Sequence, residues 1–356
     1  MQSVKIIHTA DLHIDSPLTE LKEVADIRRA EIIETFGKII ETAKEQAVDA
    51  IIISGDLFDN PRPSKQAVSY VCRKFASIPE TNIFISLGNH DAQLNETFPD
   101  NVHIFGGDLT RLEFEKFDIY GVSFQTEYCD NAIGTDFIAY NPNKINLLAL
   151  HCDMISKGQK SRYNPVTKED LAATEVDYAA LGHSHQFSDI KKIGNVSYAY
   201  CGIPEGRGFD ELGSKGVIIG NIQKNNVDLK FLPLCKRQFV EIDVDITSCT
   251  DYEQICEMII KRAGETENLC KINLQGEVEE NLFLDTALLT DMLKDKFFYV
   301  KINNFTKVKV DINALSEEYS LKGLFVKNLL RQGGGENALR AGLAALMGEK
   351  VEFDDY

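Results

Sequence analysis

Histidine is scarce in this chain, with seven in 356 residues. No C-x-x-C pair occurs among the eight cysteines (Cys72, Cys129, Cys152, Cys201, Cys235, Cys249, Cys256 and Cys270), which argues against a zinc ribbon or a dithiol redox motif. Most of them follow or sit within apolar runs and read as buried, reduced thiols. No apolar run approaches the length needed to span a bilayer. The opening Val4-Lys5-Ile6-Ile7 has neither a basic n-region nor an apolar h-region, so a cytoplasmic protein without a membrane partner is expected. A basic excess is also missing. The net charge is −17, and residues 241–356 hold 13 Lys+Arg against 22 Asp+Glu while the remainder holds 25 against 33. Neither half is a basic module, so a nucleic-acid substrate would need a local patch, bound metals or a partner protein for affinity. Internal repeats and low-complexity segments are absent.

What remains is a globular composition, 44% apolar and 26% charged, in a chain long enough for more than one domain. The first part alternates strand and helix patterns. Strands are expected at Val4–His8, Asp49–Ser54, Asn82–Leu87, Val102–Phe105, Phe117–Val122, Ile145–Leu150, Tyr178–Leu181 and Val196–Tyr200. Helical periodicity covers Asp26–Ala47 and Lys65–Ser77. The Ile-rich run at 49–54 is continuous, as in a strand buried on both faces. This predicts an α/β layered sandwich, with ligands where strands stop. A hairpin pattern at Gly216–Ile222 and Val227–Leu232 precedes a change of rhythm: strand Phe239–Ile246, helix Asp251–Ala263, strand Leu269–Gln275, helix Leu284–Lys294 and strand Phe297–Asn303. The expected division is 1–235, a small α+β domain at 236–310, and a helical region at 311–356 broken by Gly333-Gly334-Gly335.

Five histidines lie in stretches that end β-like runs: Asp11-Leu12-His13, Gly55-Asp56, Gly88-Asn89-His90-Asp91, His151 and Gly182-His183-Ser184-His185. An isolated Asp-x-His is more often a cap or turn, Gly-Asp and Gly-Asn-His-Asp also read as turns, and Gly-His-x-His alone is moderately specific. Together, and in this order, they suit a site for two divalent cations that hydrolyses phosphate esters, with one carboxylate shared between the ions. Asp56, after a glycine at a strand end, is the natural bridge. Asp11 and His13, two apart in an extended segment, should point to one side. Asn89 offers an amide oxygen, and His183 and His185 either share a side or splay to two ions. Mixed imidazole and carboxylate donors favour Mn, Fe or Zn over Mg or Ca.

These segments resemble the calcineurin-like metallophosphoesterase motifs. Within that superfamily the Thr9-Ala10-Asp11-Leu12-His13 lead-in and the Gly55-Asp56-Leu57-Phe58-Asp59 run resemble the SbcD nuclease branch. The run Gly206-Arg207-Gly208-Phe209-Asp210-Glu211-Leu212-Gly213-Ser214-Lys215-Gly216 resembles a YhaO-like subgroup. The resemblance implies a metallophosphoesterase β-sandwich flanked by helices, with a capping domain. It assigns Asp11, His13, Asp56 and His185 to one metal, most simply Mn2+, and Asp56, Asn89, His151 and His183 to the other. His90 would be the acid that protonates the leaving oxygen, with Asp91 either orienting it or capping the next segment. The implied activity is DNA exonuclease cleavage in repair, of implied polarity 3′ to 5′, with endonuclease action as an option. The implied partners are DNA, an SMC-like coiled-coil ATPase of the SbcC/YhaN type and a second copy of the chain. Asn60-Pro61-Arg62-Pro63 after Asp59 departs from the Arg-Gly of the protein Ser/Thr phosphatases. Asp59 itself reads as supporting the site or as a plain loop residue.

Two rivals stand beside this reading: a small-molecule phosphodiesterase or phosphatase on the same fold, and a non-enzymatic scaffold. Arg207, in a glycine-rich loop, is a candidate for gripping a phosphate, against a plain long turn. His8 and His103 read as core or hydrogen-bonded histidines. Lys301, Lys307 and Lys309 form a basic strip that suits either solvent or DNA backbone. Leu339, Leu343, Leu346 and Met347 make one helical stripe, either for internal packing or for the ATPase partner.

Overall fold

A computed structural model describes residues 2–347 apart from 142, 280 and 310. Residues 348–356 of the expected C-terminal region, and the side chain of Met347, lie outside that description. The chain divides into two compact units. One comprises 1–241, 266–271 and 297–299, and the other comprises 242–265, 272–296 and 300–356.

The first unit is built on two six-stranded sheets. One runs in the order 226–233, 216–223, 3–9, 50–53, 82–85, 102–104. Ser3–Thr9 pairs antiparallel with Gly216–Gln223 and parallel with Ala50–Ile53, which continues parallel through Asn82–Ile85 to Val102–Ile104. The second sheet runs 191–193, 196–200, 178–182, 145–151, 117–121, 110–113, parallel in its four central strands and antiparallel at both edges.

The isoleucine runs are explained by the layers on either side. Val4, Ile6, Ala50, Ile52 and Phe84 point at Ile119, Leu147, Ala149 and Tyr178 of the second sheet. The alternate residues Ile7, Ile51, Ile53, Ile83 and Ile85 point at Phe36, Ile39, Val71 and Phe75 on the helices Ala25–Glu45 and Lys65–Ala76. A strand covered on both faces has no polar side, so its sequence loses alternation; each such side chain contributes about 1.5–3 kcal/mol of burial. The far face of the second sheet, through Leu148, Leu150, Ala179, Leu181 and Tyr198, packs against Leu171 of the short helix Lys168–Ala173. The result is a helix–sheet–sheet–helix sandwich, as the sequence predicts.

Two polar devices fix this sandwich near its carboxyl edge. Ser54 donates from Oγ to the Ala180 carbonyl at 2.8 Å, tying the sheets together. Arg28, fully buried, donates to Glu31, to Glu205 Oε1 at 2.6 Å and to the Gly206 carbonyl at 2.7 Å. Glu205 also accepts from Thr35 Oγ1 at 2.7 Å and from Lys236 N at 2.6 Å. This cluster anchors the glycine-rich 202–216 loop on the helix Ala25–Glu45.

The strands Phe239–Asp245, Thr266–Gln275 and Phe297–Asn304 form a three-stranded sheet in that order, with residues in both units. The second unit also holds the helices Tyr252–Ala263 and Thr286–Leu293, capped by Asp251 and Asp285 side chains. Its C-terminal helices are Ile312–Glu317, Leu321–Arg331 and Glu336–Met347. Leu339 and Leu343 are buried against Val326, Leu315 and Leu329, so that half of the stripe packs within its own unit, whereas Leu346 is exposed. Lys309, in the expected basic strip, pairs with Glu279 at 3.0 Å. Elements absent from the sequence reading are short and include the 3-10 turn Thr19–Val24, the helix Lys168–Ala173, the edge strands Thr110–Glu113 and Lys191–Ile193, and the pair Asp153–Ile155 with Pro165–Thr167. Three to six residues carry too little periodicity to be seen.

Candidate metal centre

Parallel strands of both sheets deliver donors at one edge. Asp11 and His13 follow Ser3–Thr9, Asp56 follows Ala50–Ile53, and Asn89 and His90 follow Asn82–Ile85. His151 closes Ile145–His151, and His183 follows Tyr178–Gly182. The backbone turns abruptly at these points: Asp11, His13, Asp56 and His183 all have positive φ, at 52°, 44°, 51° and 101°. Non-glycine residues rarely adopt this region, and clusters of them mark functional turns. Asp11 and His13 therefore meet at the site through a left-handed turn, not through the extended segment expected from the sequence. Two glycines make room. A Cβ on Gly55 would lie 2.0 Å from His151 Nδ1, and one on Gly88 would lie 2.2 Å from Asp56 Oδ1.

The side chains converge in two groups. His13 Nε2 lies 3.2 Å from His185 Nε2 and 3.7 Å from Asp56 Oδ2. On the other side, His151 Nε2 lies 3.6 Å from the same Asp56 oxygen, 3.0 Å from Asn89 Oδ1 and 3.3 Å from His183 Nδ1. Asp11 Oδ1 is 4.0 Å from His151 Nδ1, and the Asp11 carboxylate accepts from the backbone N–H of His183 at 3.1 Å. The structure thus brings together all seven residues of the expected ligand set, with His183 and His185 splayed apart and Asp56 between the groups. The triads Asp11/His13/His185, His13/Asp56/His90 and Asp11/Asp56/His151 each have donor atoms within 4.8 Å of one another.

The tautomers decide what this geometry can hold. His13 Nδ1 sits 2.9 Å from Asp59 Oδ1, and His185 Nδ1 sits 2.6 Å from Glu211 Oε1. His151 Nδ1 sits 2.9 Å from the Ser54 carbonyl. Carboxylates and carbonyls only accept, so each Nδ1 carries a proton, and in the neutral rings each Nε2 presents a lone pair. Two such lone pairs would face each other across 3.2 Å between His13 and His185, and a third would face the Asn89 oxygen, an arrangement that suits a shared cation. Against its burial, the Glu211 bond and the Asp11 charge raise the His185 pKa, and an imidazolium there would instead donate from Nε2 to His13. Burial drives the His13 imidazole well below its ordinary pKa, aided by the nearby Arg207 charge, and burial with the adjacent His151 takes His183 down to about 4. Both therefore favour the neutral, ligating form. Burial raises the Asp11 carboxyl, with His185 and His151 opposing; a cation would offset that cost.

The remaining expected residues separate. His90 is 42% exposed, its Nδ1 donates to the Asp59 carbonyl at 3.1 Å, and its ring stands edge-on to His13 at 4.7 Å. Asp91 does not orient it. That carboxyl is buried and accepts from Gly88 N at 2.8 Å and Phe58 N at 3.2 Å, bracing the two loops from below. Burial, with Asp56 nearby, raises its pKa to about 7. Asp59 takes the orienting place, holding His13 and His90 and pairing with Arg207 Nη1 at 3.0 Å. Arg207 keeps 19% of its side chain exposed beside His185. Glu211 went unnoticed in the sequence; its Oε2 accepts from Arg207 N at 2.6 Å while Oε1 holds His185. An acid four residues beyond a candidate arginine gave no periodic or spacing signal. Cys152 and Cys201 are buried beside the site, and burial takes Cys152 to about 12, so neither offers a thiolate.

A two-sheet sandwich with carboxylates and inward-facing imidazoles at its strand ends defines a class of metal-dependent hydrolases. The chain belongs to the calcineurin-like phosphoesterase family, which matches residues 4–187. It is 26% identical over 277 residues to the uncharacterized metallophosphoesterase YhaO of Bacillus subtilis, covering 73% of this chain and 67% of that protein. It is 28% identical over 300 residues to the SbcD component of the SbcCD nuclease of Staphylococcus epidermidis, covering 72% and 75%. It is 25% identical over 308 residues to the DNA double-strand break repair protein Mre11 of Thermoplasma acidophilum, covering 76% and 77%. No helix among the described residues is long and apolar enough to cross a membrane.

Proposed function

We propose that this protein is a two-metal DNA exonuclease of the SbcD/YhaO type, acting in repair. The observation that supports the metal-dependent part is the convergence of the His13, His185, His151 and Asn89 donor atoms around the Asp56 carboxylate. The donor types favour Mn2+, Fe or Zn, and we take Mn2+. Asp11, His13, Asp56 and His185 would hold one ion, and Asp56, Asn89, His151 and His183 the other. Bound there, the ions would offset negative charge on the phosphoryl oxygens of an in-line displacement.

The chain's own residues do the rest. His90 is exposed, fixed through Nδ1, and free at Nε2 to give its proton to the leaving oxygen. Arg207, held by Asp59 and Glu211, would grip a non-bridging phosphate oxygen. Asp59 and Glu211 keep the imidazoles of His13 and His185 in the ligating tautomer. Residues 236–310 would shape access for a large substrate, and 311–356 would meet a coiled-coil ATPase, in keeping with the two-component name of the SbcCD relative.

Asp56→Asn and His90→Ala test this. Both should leave the fold intact by circular dichroism, and His90→Ala should lower Mn-dependent cleavage of end-labelled DNA by about 10²–10⁴-fold. Undiminished cleavage refutes the assigned site. Faster turnover of cyclic nucleotides than of DNA would favour the small-molecule reading.

A further inference from the structure

Residues 201–215 run from the strand Val196–Tyr200 to the strand Gly216–Gln223 without a helix or strand of their own. Gly213 makes only an isolated bridge to Phe239. Yet this segment carries Arg207 and Glu211, whose reach to Asp59 and His185 depends on where its backbone lies. No ladder of backbone hydrogen bonds aims it.

A buried charge cluster does so, from one peptide plane away. Glu205 is 1% exposed, and its hydrogen-bond partners all lie outside the donor set. Oε1 accepts from Arg28 Nη2 at 2.6 Å and from Arg237 N at 3.5 Å, while Oε2 accepts from Thr35 Oγ1 at 2.7 Å and from Lys236 N at 2.6 Å. These bonds fill the lone-pair sites of a carboxylate. Glu31 braces the Arg28 guanidinium from the same helix and is itself held by Arg237 Nε at 2.8 Å.

The peptide between Gly206 and Arg207 is thereby held at both ends. Its oxygen accepts from Arg28 at 2.7 Å, and its N–H donates to Glu211 Oε2 at 2.6 Å. A peptide group is planar and stiff, so the direction that Arg28 imposes on the oxygen sets the direction of the N–H. The N–H in turn orients the Glu211 carboxylate, whose other oxygen receives His185 Nδ1 at 2.6 Å. The same plane sets the root of the Arg207 side chain, which pairs with Asp59 at 3.0 Å. Phe239 closes the other side: a Cβ on Gly206 would lie 3.0 Å from its ring. A buried ion pair contributes little stability beyond that of well-packed apolar side chains of the same volume, and one attested use is to specify a single geometry.

We infer that Arg28 and Glu205 are positioning residues for the metal centre, acting through the 206–207 peptide to aim Glu211 at His185 and Arg207 at the substrate phosphate. The inference rests on the two-metal reading and adds to it a pair of residues outside the ligand set.

Mn2+ titration followed by electron paramagnetic resonance of the free ion tests this, with circular dichroism to confirm folding. Glu205→Gln keeps the shape, but its amide N–H2 must oppose either Arg28 or the Lys236 N–H. It should lower Mn2+ affinity by about 10-fold or more. Arg28→Lys keeps the charge but loses the fork and should do likewise. Thr35→Val removes a single bond to Glu205; it keeps the ion pair and should give a smaller loss in the same direction, even if the other two fail to fold. In an Arg207→Ala/Glu211→Gln background the residues acted through are gone, so Glu205→Gln should add almost nothing. A merely structural role would add its full loss there. That full added loss, or wild-type affinity in a folded Glu205→Gln or Thr35→Val, overturns the positioning role and leaves the two-metal reading standing. A wild type that takes up no Mn2+ overturns the two-metal reading, and the positioning role with it.

Discussion

Replacing Glu211 with glutamine isolates what a supporting carboxylate does for this centre. Glu211 is buried and receives the His185 ring N–H at 2.6 Å and the Arg207 backbone N–H at 2.6 Å. Burial alone would raise its pKa, but the bonds from His185 and the Arg207 charge hold it below the ordinary carboxylate range. It is therefore an anion at neutral pH, and both of its bonds are charge-assisted. Glutamine has the same shape but one oxygen; its amide N–H2 must face either the His185 ring N–H or the Arg207 N–H. One bond is lost, and the lone pair at His185 Nε2 becomes less basic and less well aimed. Losing such an outer contact costs roughly 10–100-fold in metal affinity, or about 1.4–2.8 kcal/mol. Mn2+ titration followed by electron paramagnetic resonance of the free ion measures this directly, without reference to turnover. Asp210→Asn, on the exposed neighbour, is the control and should bind as the wild type does. Equal affinity of Glu211→Gln and the wild type, with the fold intact, would show that His185 needs no carboxylate and would remove the tautomer argument for this half of the site.

Other outcomes follow from the same geometry. Gly88→Ala should abolish activity with little change in secondary structure, because its Cβ would meet Asp56 Oδ1 at 2.2 Å; near-normal cleavage would mean that Asp56 can swing aside. Arg28→Met should destabilise the fold by about 3–5 kcal/mol in urea unfolding, since Glu205 would be left buried without its guanidinium while Glu31 keeps only Arg237; a loss under about 1 kcal/mol would contradict that. His8 is buried against Tyr178 Oη at 2.9 Å, and burial lowers its pKa to about 3, the Leu181 backbone only partly opposing. The unfolded chain binds that proton near pH 6.5 and the folded chain does not. This contribution to stability is therefore complete above about pH 6.5 and falls by about 1.4 kcal/mol per pH unit on acidification towards about pH 3. Between about pH 7 and 5 the wild type should lose roughly 2 kcal/mol that His8→Gln retains, and parallel losses in the two would rule His8 out.

The layered core was legible because burial on both faces writes itself into runs such as Ile51-Ile52-Ile53, and the helices because a stripe such as Ile32, Phe36, Ile39, Ile40 has a period. The candidate donors were legible for a different reason: histidine is rare here, and its clustering at strand ends is conspicuous. The backbone that aims them was not. Asp11 and His13 meet through left-handed φ values that follow from the turn, where an extended reading gave only the right neighbours. Adjacency in sequence left Asp91 open between orienting His90 and capping the next segment. Its carboxyl lies beneath the loop instead, and Asp59, thirty-one residues from His90, took the position. Glu211 belongs to an irregular segment, where contacts arise from tertiary packing and leave no local pattern.

Ser54 has a consequence that extends beyond its two bonds. Its hydroxyl reaches the Ala180 carbonyl and its own carbonyl fixes the His151 ring, so one residue of the first sheet grips two strands of the second. The donors come from both layers: Asp11, Asp56 and Asn89 from one, His151 and His183 from the other. Any sliding of one layer over the other would change the gap between those donors at once. The serine works as a caliper screw, and the precision of the donor-to-donor spacing is set by how firmly two slabs of hydrocarbon are clamped there.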